Sequence, residues 1–182
     1  VFTRQLVAGL VVACVLLGAG CSSNGSGGTP ADTPSATVSP TPSLGPREAA
    51  ERDALAAYRG MWDAFVEAGK VSDPDAPDLR KYASDHALSL IVGALHTNRE
   101  QKEVILGELK IDPKVTELTP ANAPTEAKIA DCVNDEKWLE YKASGGLAND
   151  VPGGKHRTTA TVKRGAEGWK VSAFILEESG TC

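Results

Sequence analysis

The chain is predicted to fold as an α+β domain, with three N-terminal helices packed on a curved, mostly antiparallel sheet. Three observations predict it. Helical apolar spacing is confined to residues 47–98, and alternating segments fill residues 104–176. The connections between those segments are short and rich in Gly, Pro and Asp, as hairpins require. Helices first and strands after, rather than alternating with them, mark α+β and not a doubly wound parallel sheet. A strongly curved sheet wrapped around the helices would bury the apolar stripes of both.

The helices come first. Pro46-Arg47-Glu48 opens one, with Pro in the first turn and Glu48 and Glu51 near the positive end of the dipole. Leu55, Tyr58, Trp62, Phe65 and Val66 recur at helical spacing, and Gly69 is the stop. Ser72 to Pro77 reads as a loop. A short helix over Asp78–Ala83 turns Leu79 and Tyr82 inward. Ser84 then caps a third helix, with Asp85 in its first turn and a stripe of Leu88, Ile91, Val92 and Leu95.

The strands follow. Residues 104–111 alternate, Asp112-Pro113 marks a turn or bulge, and Val115 and Leu118 continue an extended segment. Thr119 to Thr125 holds two prolines and is a turn. Glu126–Val133 reads as one strand and Trp138–Tyr141 as another. Ser144 to Lys155, with four glycines and Pro152, is a flexible loop. His156–Arg164 is a strand rich in Thr and Val, and Gly165–Gly168 turns it back. The last strand runs from Trp169 to Leu176, with Trp169, Val171, Ala173 and Ile175 on one side.

Residues 1–21 set the compartment. Arg4 precedes an apolar run of about 15 residues, short of the ~20 that span a bilayer. Small residues, Gly18-Ala19-Gly20, then precede Cys21. This is the plan of a signal peptide. It resembles the lipobox of bacterial lipoproteins, with Leu16 and Leu17 before Gly18 at the place usually held by leucine. The resemblance implies cleavage before Cys21, a diacylglyceryl thioether on its sulfur, and a domain held on the extracytoplasmic face of the cell membrane. Val1 reads as an initiator from a non-AUG codon, and the chain as a complete precursor. Residues 22–46 are Ser, Thr, Gly and Pro with Val38 and Leu44 as the large apolar residues, too little to offset the entropy of ordering. They are expected to form a tether reaching roughly 25–30 Å as a coil.

Composition narrows the function. Loss of Arg4 with the signal leaves 18 basic residues of 19 against 24 acidic, a formal net charge of −6. Such a chain is not expected to bind nucleic acid. Cys14 leaves with the signal and Cys21 carries lipid, so Cys132 and Cys182 remain as an even pair in an oxidising compartment and are expected to form a disulfide. Two cysteines 50 residues apart and three scattered histidines have no zinc-ligand spacing, and no metal or cofactor is expected. Gly153-Gly154-Lys155 lacks the rest of a phosphate loop: His156 stands where Ser or Thr is needed.

Ala57-Tyr58-Arg59-Gly60-Met61-Trp62, Asp131-Cys132-Val133, Trp138-x-x-Tyr141, Pro152-Gly153-Gly154, Gly168-Trp169-Lys170-Val171 and the terminal Cys182 carry a further resemblance. Together with the element order, they are similar to a family of uncharacterised actinobacterial lipoproteins with an NTF2-like (cystatin-like) domain, over about residues 50–182. The resemblance implies a cone-shaped fold whose mouth admits a small molecule. Enzymes on this fold hold an Asp or a His–Asp pair there, and the candidates are Asp63, Asp85, His86 and Asp131. None is assigned a catalytic role, because Asp63 lies off the apolar stripe and Asp85 and His86 sit in an exposed first turn. Tyr58, Trp62, Phe65, Tyr82, Trp138, Tyr141 and Trp169 are core fillers by type, or the lining of a ligand pocket. Three functions follow: a non-enzymatic lipoprotein that binds a small ligand or an envelope protein; an isomerase or dehydratase using Asp or His in the cone; or an accessory subunit of an envelope transport complex.

Overall fold

A computed structural model describes residues 44–182. The signal segment, Cys21 and the tether up to residue 43 lie outside the described residues. Three helices precede five strands: α1 (Pro46–Gly69), α2 (Pro77–Tyr82), α3 (Asp85–Gln101), β1 (Glu103–Lys110), β2 (Lys114–Thr119), β3 (Glu126–Lys142), β4 (Lys155–Gly165) and β5 (Gly168–Leu176). All strand pairs are antiparallel, in the order β1-β3-β4-β5. β2 pairs with the first half of β3 and β1 with the second. The domain is therefore helices on a curled antiparallel sheet. No helix among the described residues is long and apolar enough to cross a membrane.

α1 starts where Gly45 N–H donates to Glu48 Oε2 at 3.2 Å, which satisfies one of the orphan donors of the first turn. Its buried face is Ala54, Ala57, Tyr58, Met61, Trp62, Ala64, Phe65 and Ala68; Leu55 and Val66 are only half-buried. The small alanines bring the helix close to the sheet and leave room for the rings between them. At α3, Ser84 does not cap with its side chain; its hydroxyl donates to Asp85 Oδ2 at 3.0 Å. Asp85 has φ +48, so the chain enters the helix through the left-handed region and the Ser84 hydroxyl is turned away from the first-turn amides. The peptide bond Thr119–Pro120 is cis, within the predicted turn.

Two β-bulges separate the structure from the sequence reading. Glu126–Val133 and Trp138–Tyr141 are not two strands but parts of the single 17-residue β3. Glu108 pairs with Lys137, whereas Lys110 pairs with Asn134, so β3 carries one extra residue opposite Leu109. Before the bulge Ala127, Ile129, Asp131 and Val133 face inward; after it Trp138 does, packing on Phe65 at 5.1 Å between ring centroids. The lost alternation looks like a strand end in sequence, yet it is a bulge that bends the strand. In β5, Thr161 pairs with Ala173 and Val162 with Val171, which leaves Ser172 extra. Trp169 and Val171 point inward as expected, but Ala173 and Ile175 do not. Phe174 turns in instead, with its ring 5.5 Å from Trp62, and Ile175 is 66 % exposed.

Gly107, paired with Trp138, lies beside the bulge in β3. Its φ is +112, and a Cβ there would run into the Lys137 carbonyl oxygen. The C-terminal end is held by the Cys132–Cys182 disulfide, which spans Cα atoms 6.0 Å apart and 50 residues of sequence. Gly180 N–H donates to Lys155 O at 2.8 Å and Arg157 N–H to Thr181 Oγ1 at 2.8 Å, so residues 177–182 lie as a strap across the start of β4.

Candidate functional site

The predicted site residues fall into three groups. Tyr58, Trp62, Phe65 and Trp169 are buried in the core. Tyr58 meets Trp62 edge-on, and Trp62 stacks near Phe65 with centroids 6.2 Å apart. With Phe174 and Trp138 these rings fill the space between α1 and the sheet, where a cone pocket would open. Core aromatics of this kind each bury some 150–250 Å² and dominate the packing energy. Tyr82 and Trp138 are half-buried and border surface clefts; Tyr141 is half-buried on the opposite face of the sheet.

The acid–base candidates are not brought together. Asp63 is exposed on α1, and Asp85 and His86 are exposed at the start of α3. Asp131 is buried in β3. Its Oδ2 accepts the Tyr58 hydroxyl at 3.0 Å, and its Oδ1 accepts the Asp112 and Cys132 amides at 2.8 and 2.7 Å. Burial, together with the adjacent Asp131 charge, pushes the Tyr58 phenol far above its usual range, so it stays a donor. Three donors on one buried carboxylate describe a structural joint between α1, β3 and the β1–β2 turn. Among the described residues no group of three or more His, Cys, Asp or Glu side chains could hold a metal ion.

Two surfaces combine apolar area with a distinct chemical character. One is the outer face of the β1–β3 pair. Ile105 and Trp138 face the core, so their strand neighbours face away from it. Leu106 pairs with Leu139 and Val104 with Tyr141, and Leu147 bridges to Tyr141 from the 143–154 loop. Leu106 is 38 % exposed and Leu147 50 %. No helix covers this patch. The bulge in β3 creates it by turning Leu139 and Tyr141 outward. The sequence reading missed it for that reason; the signal was the apolar pair Leu106 and Leu139 on strands with their other face committed to the core.

The second is a cleft of about 340 Å³ between α1, the loop after it and α2. Ala64, Ala68, Val71, Ala76 and Pro77 form its apolar surface, and the Tyr82 ring forms a wall. Gly60 makes the wall possible: a Cβ there would lie 2.6 Å from Tyr82 Cδ1 and Cε1. Asp63, Glu67, Asp73 and Asp78 also line it.

No family model matches the chain, and no curated protein matches it. Solved structures do. The intermembrane space region of the chloroplast protein ARC6 superposes with a TM-score of 0.51 at 14 % identity, over 71 % of this chain and 97 % of that one. A protein of unknown function with a cystatin-like fold from Nostoc punctiforme gives 0.42 at 6 % identity, over 70 % and 92 %. A domain of unknown function with a cystatin-like fold from the same organism gives 0.41 at 15 %, over 72 % and 79 %. At these identities the likeness to the ARC6 region is one of fold alone, and the two lower scores add no argument to the strand order and register described above.

Proposed function

We propose that this chain is a lipid-anchored, extracytoplasmic domain of the NTF2-like (cystatin-like) type that docks an envelope protein and does not catalyse a reaction. The observation that carries the docking reading is the apolar outer face of Val104, Leu106, Leu139, Tyr141 and Leu147. A sheet face with aliphatic and aromatic residues and no covering helix is a surface that a partner stabilises by burying it. The filled core and the dispersed positions of Asp63, Asp85, His86 and Asp131 favour binding over acid–base chemistry. The Cys132–Cys182 disulfide supports an oxidising compartment. The signal-like residues 1–20, followed by Cys21, support the anchor.

Two measurements test it. The intact mass of the chain purified from membranes is expected to carry a diacylglyceryl group with Cys21 at the N-terminus; an unmodified N-terminus upstream of it removes the anchor. Crosslinking in intact cells is expected to capture a partner with the parent chain and to lose it with Leu106→Asp combined with Tyr141→Asp. A partner set unchanged by a folded double variant removes the docking face.

A further inference from the structure

We propose that the cleft between α1 and α2 receives an arginine side chain presented by a polypeptide partner. The cleft is separate from the outer sheet face, and the inference does not rest on that reading. Its floor is apolar, formed by Ala64 and Ala68 from α1 and Ala76 and Pro77 from the loop and the start of α2, with Val71 on the open side. Tyr82 closes one side, seated against α1 because residue 60 is glycine, and Lys81 Nζ lies 4.7 Å from its ring centroid. A glycine inside an exposed helix costs about 1 kcal/mol relative to alanine, so the ring's position here is obtained against helix propensity.

Charge then selects the occupant. Every charged residue lining the cleft is acidic: Asp63, Glu67, Asp73 and Asp78. Lys70 already pairs with Glu67 at 2.5 Å, and Asp73 Oδ1 accepts the Asp75 amide at 3.0 Å. Asp63 and Asp78 make no ion pair among the described residues. An apolar floor and an acidic rim match an aliphatic stem that ends in a planar cation. Arginine has both parts, and its guanidinium binds carboxylates in a fork. The geometry also favours a side chain over a free molecule. Val71, 70 % exposed, leaves one wall open, whereas small-ligand sites enclose most of the ligand surface.

The test uses the full chain in detergent micelles, labelled for NMR, and a short peptide with one central arginine between leucines. The peptide is expected to shift the amides of Gly60, Ala64, Ala68, Val71 and Ala76. Replacing its arginine by neutral, near-isosteric citrulline is expected to weaken binding at least tenfold. Asp63→Asn with Asp78→Asn, both at exposed positions, is expected to raise Kd about 5- to 30-fold. Equal binding of the citrulline peptide overturns the proposal, as do shifts outside the cleft. Butylguanidinium binding as tightly as the peptide also overturns it, because the cleft would then belong to a small free cation. Loss of the outer-face partner through Leu106→Asp leaves this titration unaffected, so the two readings fail separately.

Discussion

Removal of one oxygen atom, in Tyr58→Phe, tests the joint that holds α1 to the sheet. The Tyr58 hydroxyl donates to Asp131 Oδ2 at 3.0 Å, with the two residues 0 % and 7 % exposed. The other carboxylate oxygen is already engaged by the amides of Asp112 and Cys132. Phenylalanine keeps the ring and its contact with Trp62, so almost no cavity forms. What is lost is a hydrogen bond to a carboxylate, worth about 1.5–3 kcal/mol, and Oδ2 is left without a donor where water does not reach. The expected loss in urea unfolding is therefore about 2–3 kcal/mol at unchanged m-value. Tyr141→Phe, on the outer face, is the control and is expected within about 0.5 kcal/mol of the parent. A cycle with Asp131→Ala should return a coupling of about 1.5–2 kcal/mol, because the Tyr58 hydroxyl has no acceptor once the carboxylate is gone. A Tyr58→Phe chain as stable as its control would refute the reasoning, since it would mean that the hydroxyl contributes nothing to the joint.

Further outcomes follow from the same structure. The Tyr58 phenol, raised by burial and by the Asp131 charge, titrates in the unfolded chain near 10 but remains protonated in the fold. Its contribution is complete below about pH 10 and falls by roughly 1.4 kcal/mol per unit above it, so alkaline unfolding should be shallower in Tyr58→Phe. Spectrophotometric titration of the native chain should show one tyrosine fewer than the three present. Replacing Cys132 and Cys182 by serine opens a loop closed across 50 residues and is expected to cost about 4 kcal/mol on the chain-entropy estimate, read by denaturant unfolding. Gly107→Ala meets both a positive φ and the Lys137 carbonyl, and should cost about 2–3 kcal/mol in thermal unfolding. Gly60→Ala should push Tyr82 off α1, with little net loss of stability because the helix gains propensity, and should abolish the peptide response of the cleft.

The helices were legible because their signals are local. Pro46, Gly69 and the run Tyr58, Trp62, Phe65 each act within a turn or two of chain, and the observed α1 differs from expectation by one residue at its start. The disulfide followed from counting thiols within a compartment. The β-rich half was legible as strands joined by turns and less so in strand ends and faces, since two expected segments are one β3. Alternation tells which residues share a face only while the register holds, and at Asp135–Glu136 and at Ser172 an extra residue reverses it. Phe174 therefore entered the core unannounced, and Ile175 left it. The same reversal turned Leu139 and Tyr141 outward and made the apolar outer face. Asp131 was visible as a candidate acid on a strand, but its burial and its partner Tyr58, 73 residues away in sequence, were not.

By itself the sequence determined the element order, the α+β class, the cysteine pairing and the expectation of an anchored, exported domain. Each depends on local periodicity, composition or a count, which need no knowledge of what lies across the fold. Only the tertiary structure decided that Tyr58, Trp62 and Phe65 fill the space between α1 and the sheet, that Asp131 is a joint, and that an apolar outer sheet face and an acidic cleft lie open. Those outcomes depend on two bulges and on one glycine facing one ring, Gly60 against Tyr82. Such contacts are set by where distant segments meet, and no window of neighbouring residues contains them.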